Sequence, residues 1–333
     1  MQPRSNRAPD RSRPARRGRR LLATAVAACL AISAAACGDS GSEEPATDLA
    51  IPTDEQTLEP EVTVEPGPAP EIELLDAGSG EHRVLAYGPS RGPATVAVTR
   101  SATARTAVPG SQPRVDETPD QTLTVEGRSE PDVDGAQRAT ATVREFSSVD
   151  ELRAAQFATA PGFTVTWTRG ADGTVRELGL AAPADATDAA RAGVEITANA
   201  ISDATVVFPT EAIGHGARWT ATRQVDDAVA PTRVVTYELV GLDGDVATVR
   251  TETTAPGTAD TLTAPAPDGG PGVTLDVETY EVTGVGELTV DLRAALPVDG
   301  RTESSTRAVY VDPETGQRTT YDEDSVLQFR SVG

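Results

Sequence analysis

From Glu71 onward, apolar and polar residues alternate with a period of two. Phe163, Val165 and Trp167 interleave with Thr164, Thr166 and Thr168, and Val235, Tyr237 and Leu239 with Thr236 and Glu238. Leu288, Val290, Leu292 and Ala294 alternate in the same way with Thr289, Asp291 and Arg293. Such a pattern turns one side of a strand to a core and the other to water, the habit of antiparallel sheets. Valine and threonine also suit the pleat. Further strands are expected near residues 82–88, 94–107, 121–127, 137–146, 273–284, 302–311 and 317–331. The run Gly241-Leu242-Asp243-Gly244-Asp245 predicts a hairpin turn between Val235 and Val249.

Two stretches depart from this period. Ser148 to Phe157 predicts a short helix, with Ser148 as cap and Glu151 at capping-box distance. Residues 185–204 predict the main helix: Ala190, Val194, Ala198 and Ile201 form one apolar stripe between Pro183 and Pro209. A faint internal repeat surrounds it. Thr124-Val125-Glu126 parallels Thr236-Tyr237-Glu238, and Ala141-Thr142-Val143-Arg144 parallels Ala247-Thr248-Val249-Arg250. The expected fold is mainly β (β-rich α+β): an antiparallel sheet, curved or half-barrel in shape, packed on one main helix. Residues 71–333 form a single domain, with candidate halves 71–182 and 206–333 joined by helix 185–204.

The first 36 residues follow another logic. Eight arginines between Arg4 and Arg20 precede the charge-free run Leu21 to Ala36, the layout of a secretory signal. That run is shorter than the roughly 20 residues that span a bilayer, and Gly38-Asp39-Ser40-Gly41 ends it. Ala34-Ala35-Ala36-Cys37 resembles the lipobox of bacterial lipoproteins, with alanine at Ala34 where leucine is usual. The resemblance implies cleavage before Cys37 and lipid on that cysteine. Val26-Ala27-Ala28-Cys29 fits the same pattern, but only eight apolar residues precede it. Two or three acyl chains, at about 0.8 kcal/mol per buried methylene, hold a protein at a membrane where one does so only marginally. Residues 37–70 read as lipidated Cys37 and a disordered acidic tether. Gly38 to Pro70 has nine acids, no base and six prolines, with too few large apolar residues to offset ordering entropy.

Composition narrows the partners. All 29 basic residues are arginine and none is lysine. Of 29 basic and 51 acidic residues, the signal takes eight arginines and one aspartate, leaving 21 and 50, a net charge of −29. Such a surface repels nucleic acid and anionic lipid headgroups, so neither is expected as a polyanionic partner. Both cysteines, Cys29 and Cys37, lie in the signal region, so no disulfide or thiolate metal site is expected in the folded part.

The arginine-only, alanine- and proline-rich composition points to a high-GC genome. Within it, Leu74-Leu75-Asp76-Ala77-Gly78, Val84-Leu85-Ala86-Tyr87 and above all Phe208-Pro209-Thr210-Glu211-Ala212-Ile213-Gly214-His215-Gly216-Ala217-Arg218-Trp219 resemble an uncharacterised group of actinobacterial cell-envelope lipoproteins that carry a domain of unknown function. The resemblance spans about residues 71–331. It implies an exported lipoprotein at the extracytoplasmic face of the cell membrane and lends no activity.

Signals for chemistry are sparse. His82 and His215 are the only histidines, and no HExxH spacing occurs. His82 beside Glu81 and Arg83 reads as solvated, and His215 between two glycines as a loop residue. Without lysine, neither a P-loop nor an SxxK nucleophile exists, and Gly78-Ser79-Gly80 lacks the context of a nucleophile elbow. No catalytic residue, metal ligand or cofactor is therefore expected. Trp167 and Trp219 are the candidates to line a ligand cavity, should one exist. The sequence favours a non-enzymatic, membrane-anchored binding or interaction module whose partner is an envelope ligand or protein. A carrier of lipid or another apolar ligand in a half-barrel cavity is the second reading, and a carboxylate-dependent wall hydrolase the third.

Overall fold

The computed structural model describes residues 57–264 and 272–332. The protein is mainly β, 58% strand against 10% helix, as the alternation predicts. The N-terminal strands are β1 (Val62–Val64), β2 (Glu71–Asp76), β3 (Ser79–Arg83), β4 (Ala94–Ala107), β5 (Arg114–Pro131) and β6 (Gln137–Ser148). Helix α1 (Glu151–Phe157) precedes β7 (Thr164–Arg169) and β8 (Val175–Ala181), and helix α2 (Asp188–Ala204) divides the chain. Then come β9 (Ile213–His215), β10 (Arg218–Gln224), β11 (Thr232–Asp243), β12 (Val246–Pro256), β13 (Thr261–Ala264), β14 (Val273–Asp291), β15 (Asp299–Val311) and β16 (Arg318–Val332).

One antiparallel sheet holds nearly all of them, in the order β1-β8-β7-β6-β5-β4-β16-β15-β14-β12-β11-β10-β2, with β13 on β14 and a separate β3–β9 ladder. It is not closed into a barrel, yet it cannot be flat. Thirteen strands at about 4.8 Å spacing would spread roughly 58 Å. The edge strands β1 and β2 are joined by residues 65–70 alone, which reach at most about 25 Å. Helix α2 gives the direction of the curl. Its Ser202 accepts from Trp167 Nε1 on β7 at 2.8 Å, and its Asp203 pairs with Arg223 on β10 at 3.5 Å. Those strands are nine positions apart on the path, roughly 43 Å if flat. The sheet therefore wraps around α2, and the helix-bearing face is the inner one.

The core fills that wrap. Val98, Leu123, Phe146, Trp167, Trp219, Tyr237, Leu239, Val249, Leu288 and Phe329 point inward at 4% exposure or less, against Ala190, Val194, Ala198 and Ile201 of α2. The predicted apolar stripe is thus the buried face of the helix. A Cβ on Gly193 would lie 2.5 Å from Phe146, so glycine is what lets α2 approach the stacked Phe146–Phe157 pair. Arg169 is buried with them. Its Nη1 and Nη2 donate to Ala295 and Ala294 carbonyls at 3.0 and 2.7 Å, and its guanidinium lies 4.1 Å from the Tyr87 ring centroid. Burial holds its pKa below the usual arginine range, with Tyr87 opposing.

Several expectations need correction. Residues 57–70 are not all tether: β1 pairs with β8, and Leu58 bridges Pro183. Glu59 forms a bidentate pair with Arg191 at 2.7 and 2.9 Å, and Glu61 meets Arg138 and Thr166. The remainder of the tether, 38–56, lies outside the described residues. The cap of α1 is Asp150, whose side chain accepts from Arg153 N, while Ser148 closes β6. Helix α2 begins at Asp188, capped by Thr187. The strand expected over 82–88 stops at Arg83, because Leu85 and Tyr87 leave the ladder to enter the core.

The repeated segments fall in two meanders, β4-β5-β6 and β10-β11-β12, running in the same sense along the sheet. Val96 faces Val125 in the first where Trp219 faces Tyr237 in the second. The third strands part company: Val125 faces Val143, but Tyr237 faces Thr251.

Candidate functional site

Cys37 lies outside the described residues. Trp167 and Trp219 do not line an open cavity. Trp167 is 3% and Trp219 0% exposed, and each indole N–H is already satisfied, by Ser202 Oγ at 2.8 Å and by the Val207 carbonyl at 2.7 Å. Trp219 stacks on Tyr237 with centroids 5.3 Å apart and packs on Phe208. Both are core residues. His215 is exposed on the β3–β9 ladder, where its carbonyl accepts from Ser79 Oγ, and His82 is an exposed residue of β3. Among the described residues no group of three or more His, Cys, Asp or Glu is placed to hold a metal.

Charge gathers at two places that the sequence did not single out. At the β11–β12 turn, Asp245 faces Arg91 at 2.6 Å, Arg293 at 3.4 Å and Arg83 at 3.8 Å. This hub ties the loop after β3 and the turn after β14 to one hairpin. Its members are partly exposed, so each pair contributes little on its own.

The second place is the inner face where the strands outrun the helices. Strands β14, β5, β16 and β4 have 19, 18, 15 and 14 residues, while α1 and α2 are packed on the main core. Beyond that core the inner face turns polar and half-exposed: Thr302, Ser325, Glu323 and Ala104 continue the line of Leu327 and Val98. At its far end Tyr280 and Tyr321 flank Ala308, which is 3% exposed, and Tyr310 follows on the same strand face. Tyr280 donates to Asp227 at 2.8 Å, Tyr321 donates to Glu323, and Asp227 also accepts from the backbone N–H groups of Val229 and Ala230.

Burial, the first cause in each case, raises the pKa of every tyrosine in the protein. Nearby Asp227 adds to it for Tyr280 and Tyr310, and Glu323 for Tyr321. Tyr310 is pushed up to about 12. A raised folded pKa means that the folded state holds protons the unfolded chain would release. Stability is thus fully present below about pH 10 and is lost as pH rises toward 12 and beyond. An absorbance titration at 295 nm should show little tyrosinate near pH 10, then a rise that coincides with loss of tertiary circular dichroism. Normal titration of several tyrosines in the folded protein would contradict this packing.

Between the tyrosines and α1 sits the least compensated charge on this face. Arg100 lies opposite Gln121 on β5 and Leu327 on β16. Its Nε donates to Gln121 Oε1 at 3.3 Å. Burial first, then the guanidinium of Arg153 on α1, hold its pKa below the usual arginine range. Gln121 is 2% exposed, and its Nε2 is buried with no hydrogen-bond partner. Val149 and Leu152 stand out beside it at 75% and 80% exposure. On the outer face, Thr99, Asp120, Thr122, Ser147, Val149 and Gln328 line a groove of about 420 Å³.

Fold and site together define a curled, open antiparallel sheet wrapped on one helix, with an inner wall left polar and accessible at one end. No family model matches the chain, and no curated protein is significantly similar to it.

Proposed function

We propose that this chain is an exported envelope lipoprotein, held at the extracytoplasmic face of the cell membrane by lipid on Cys37, whose β domain is a non-enzymatic binding module. The observation that carries the second half is the inner face of β15, β16, β4 and β5 beyond the helices, a polar, half-exposed wall, whereas on neighbouring β14 Val282 and Tyr280 are packed against Ala230 and Ala255. The first half rests on Ala34-Ala35-Ala36-Cys37 and the arginine-rich, apolar signal before it. The carrier reading draws less support, because the space between sheet and main helix is filled by Phe146, Trp167, Trp219 and their neighbours.

The absence of lysine makes a direct test of processing. Once residues 1–36 are removed, the α-amine of Cys37 is the sole amine in the protein. An amine-reactive reagent should label that residue, or nothing if the amine is itself acylated. Mass spectrometry of the N-terminal peptide should then show a diacylglyceryl Cys37. An unmodified Cys37 in a soluble product, or label on the amine of any other residue, sinks the anchoring. Native mass spectrometry of the purified full chain should in turn reveal a co-purifying small molecule or protein. Finding every copy free of one after mild isolation from the envelope would count against a binding module.

A further inference from the structure

A sheet that curls around α2 presents a convex back, yet that back carries the groove of about 420 Å³ across β16, β4, β5 and β6. Its volume lies within the roughly 300–1,000 Å³ of sites that hold small molecules. Two irregularities make room for it. The register shifts between Arg100 and Ala102 where β4 meets β5, and between Thr124 and Val125 where β5 meets β6. Such bulges bend a strand and re-aim its side chains, and they are over-represented next to active sites. Between them Gln328, Thr99, Thr122 and Ser147 stand opposite one another in one row across the four strands. Ala97, two residues from Thr99 on the same face, keeps the floor low.

That floor is neutral and rich in hydroxyls. Thr99 Oγ1 and Thr122 Oγ1 lie 2.8 Å apart and share one hydrogen, which leaves lone pairs free on both. At one end the Asp120 carbonyl accepts from the Val149 N–H and from Ser148 Oγ, each at 3.3 Å. The Asp120 carboxylate has no hydrogen bond or ion pair among the described residues, and neither has the Gln328 amide or the Arg330 guanidinium. Arg330 does not make the groove basic, because Asp299 and Glu145 share its cross-strand row with Ala97 and Thr124 between them. An anion is therefore disfavoured, and a cation would leave the guanidinium and amide N–H groups idle. A hydrocarbon would find Val149 as the one large apolar side chain of the lining. The carboxylate only accepts, the guanidinium only donates, and the hydroxyls and amide do both. A ligand that meets all of them carries closely spaced groups that each donate and accept, as the neighbouring hydroxyls of a sugar do. We propose that this groove binds a neutral saccharide. Asp120, Gln328 and Arg330 hold adjacent hydroxyls in pairs, Thr99, Thr122 and Ser147 form the floor, and Val149 takes an apolar C–H face. Thr99 and Thr122 alternate with the buried Val98 and Leu123, so the site lies behind the inner wall and does not rest on that reading.

The test is titration calorimetry on the purified full chain with maltotriose, cellotriose, mannotriose and triacetylchitotriose, and with trialanine as a zwitterionic control. At least one trisaccharide should bind, and trialanine should not. Asp120→Ala and Arg330→Gln should each weaken binding about ten- to hundredfold, the worth of a hydrogen bond to a charged group. Thr122→Val, which keeps a strand-forming shape, should weaken it about two- to tenfold. Ala97→Tyr fills the floor and should abolish it. All four positions are exposed or half-exposed, so each variant should melt within about 2 °C of the parent, which separates lost binding from lost folding. Co-sedimentation with cellulose and with chitin distinguishes the source of the sugar. Pelleting that Ala97→Tyr abolishes identifies a segment of a polymer, and trisaccharide binding without pelleting identifies a soluble saccharide. Blank heats with every trisaccharide and no pelleting that depends on Ala97 overturn the site. So do affinities unchanged in Asp120→Ala and Ala97→Tyr, or trialanine bound in place of a sugar.

Discussion

Trp219→Ala is expected to destabilise the protein by about 3–5 kcal/mol, the range for emptying a large aromatic site in a core that cannot collapse. The indole is 0% exposed, stacks on Tyr237 and packs on Phe208. It sits on β10, next to the edge strand β2, opposite Leu74 and Tyr237. Removing it also strands the Val207 carbonyl, which accepts from Nε1 at 2.7 Å, and a buried acceptor left unpaired adds about 1–3 kcal/mol where relaxation cannot satisfy it. Trp219→Phe keeps most of the volume and loses that bond, so its cost should fall between parent and alanine variant. Urea denaturation with an unchanged m-value would measure both. A loss below 1 kcal/mol for the alanine variant would mean that the site is wet or mobile, and the cavity-lining role would return.

Gly300→Ala should cost roughly 3 kcal/mol or more, the sum of a left-handed backbone penalty and overpacking. Gly300 lies on β15 between Leu288 of β14 and Phe329 of β16, in the middle of the sheet. Its φ of +119° is one that side chains rarely tolerate, and a Cβ would stand 2.3 Å from the Glu287 carbonyl oxygen and 2.7 Å from Leu288 Cα. Those are backbone atoms of a paired strand, with no rotamer to move aside. The loss should appear as a lowered melting temperature together with faster hydrogen exchange at Leu288 and Phe329. A variant as stable as the parent would show that this pairing is looser than described.

The local patterns carried much of the fold. β4 runs over Ala94–Ala107, the span that alternation predicts, and the Gly241–Asp245 turn joins β11 to β12. The stripe Ala190, Val194, Ala198 and Ile201 is buried as its spacing requires. What the pattern hid depends on distant partners. Val62 and Val64 are set among prolines and acids and read as tether, and they become β1 only because Leu178 and Leu180 offer an edge more than a hundred residues on. In β8 itself, Gly179 interrupts the apolar run, so the segment shows no clean period of two.

The candidate site was less legible still. Arg100 and Gln121 are unremarkable apart; only the register of β4 on β5, shifted by a bulge after Arg100, sets them side by side. The tryptophans misled for a related reason. An aromatic on an alternating strand looks the same whether it faces a pocket or a packed helix, and the hydrogen-bond partners that decide it, Ser202 and Val207, come from elsewhere in the chain.

The short link between β1 and β2 has a consequence for solubility. Because consecutive strands occupy opposite margins of the sheet, one stretch of chain blunts both of the places where a second molecule could add itself by strand pairing. At one margin only three residues are offered, and at the other Glu71, Glu73 and Asp76 repel an equally acidic newcomer. A single proteolytic nick between Val64 and Glu71 would weaken both guards at once, exposing Leu178 and Leu180 to intermolecular association.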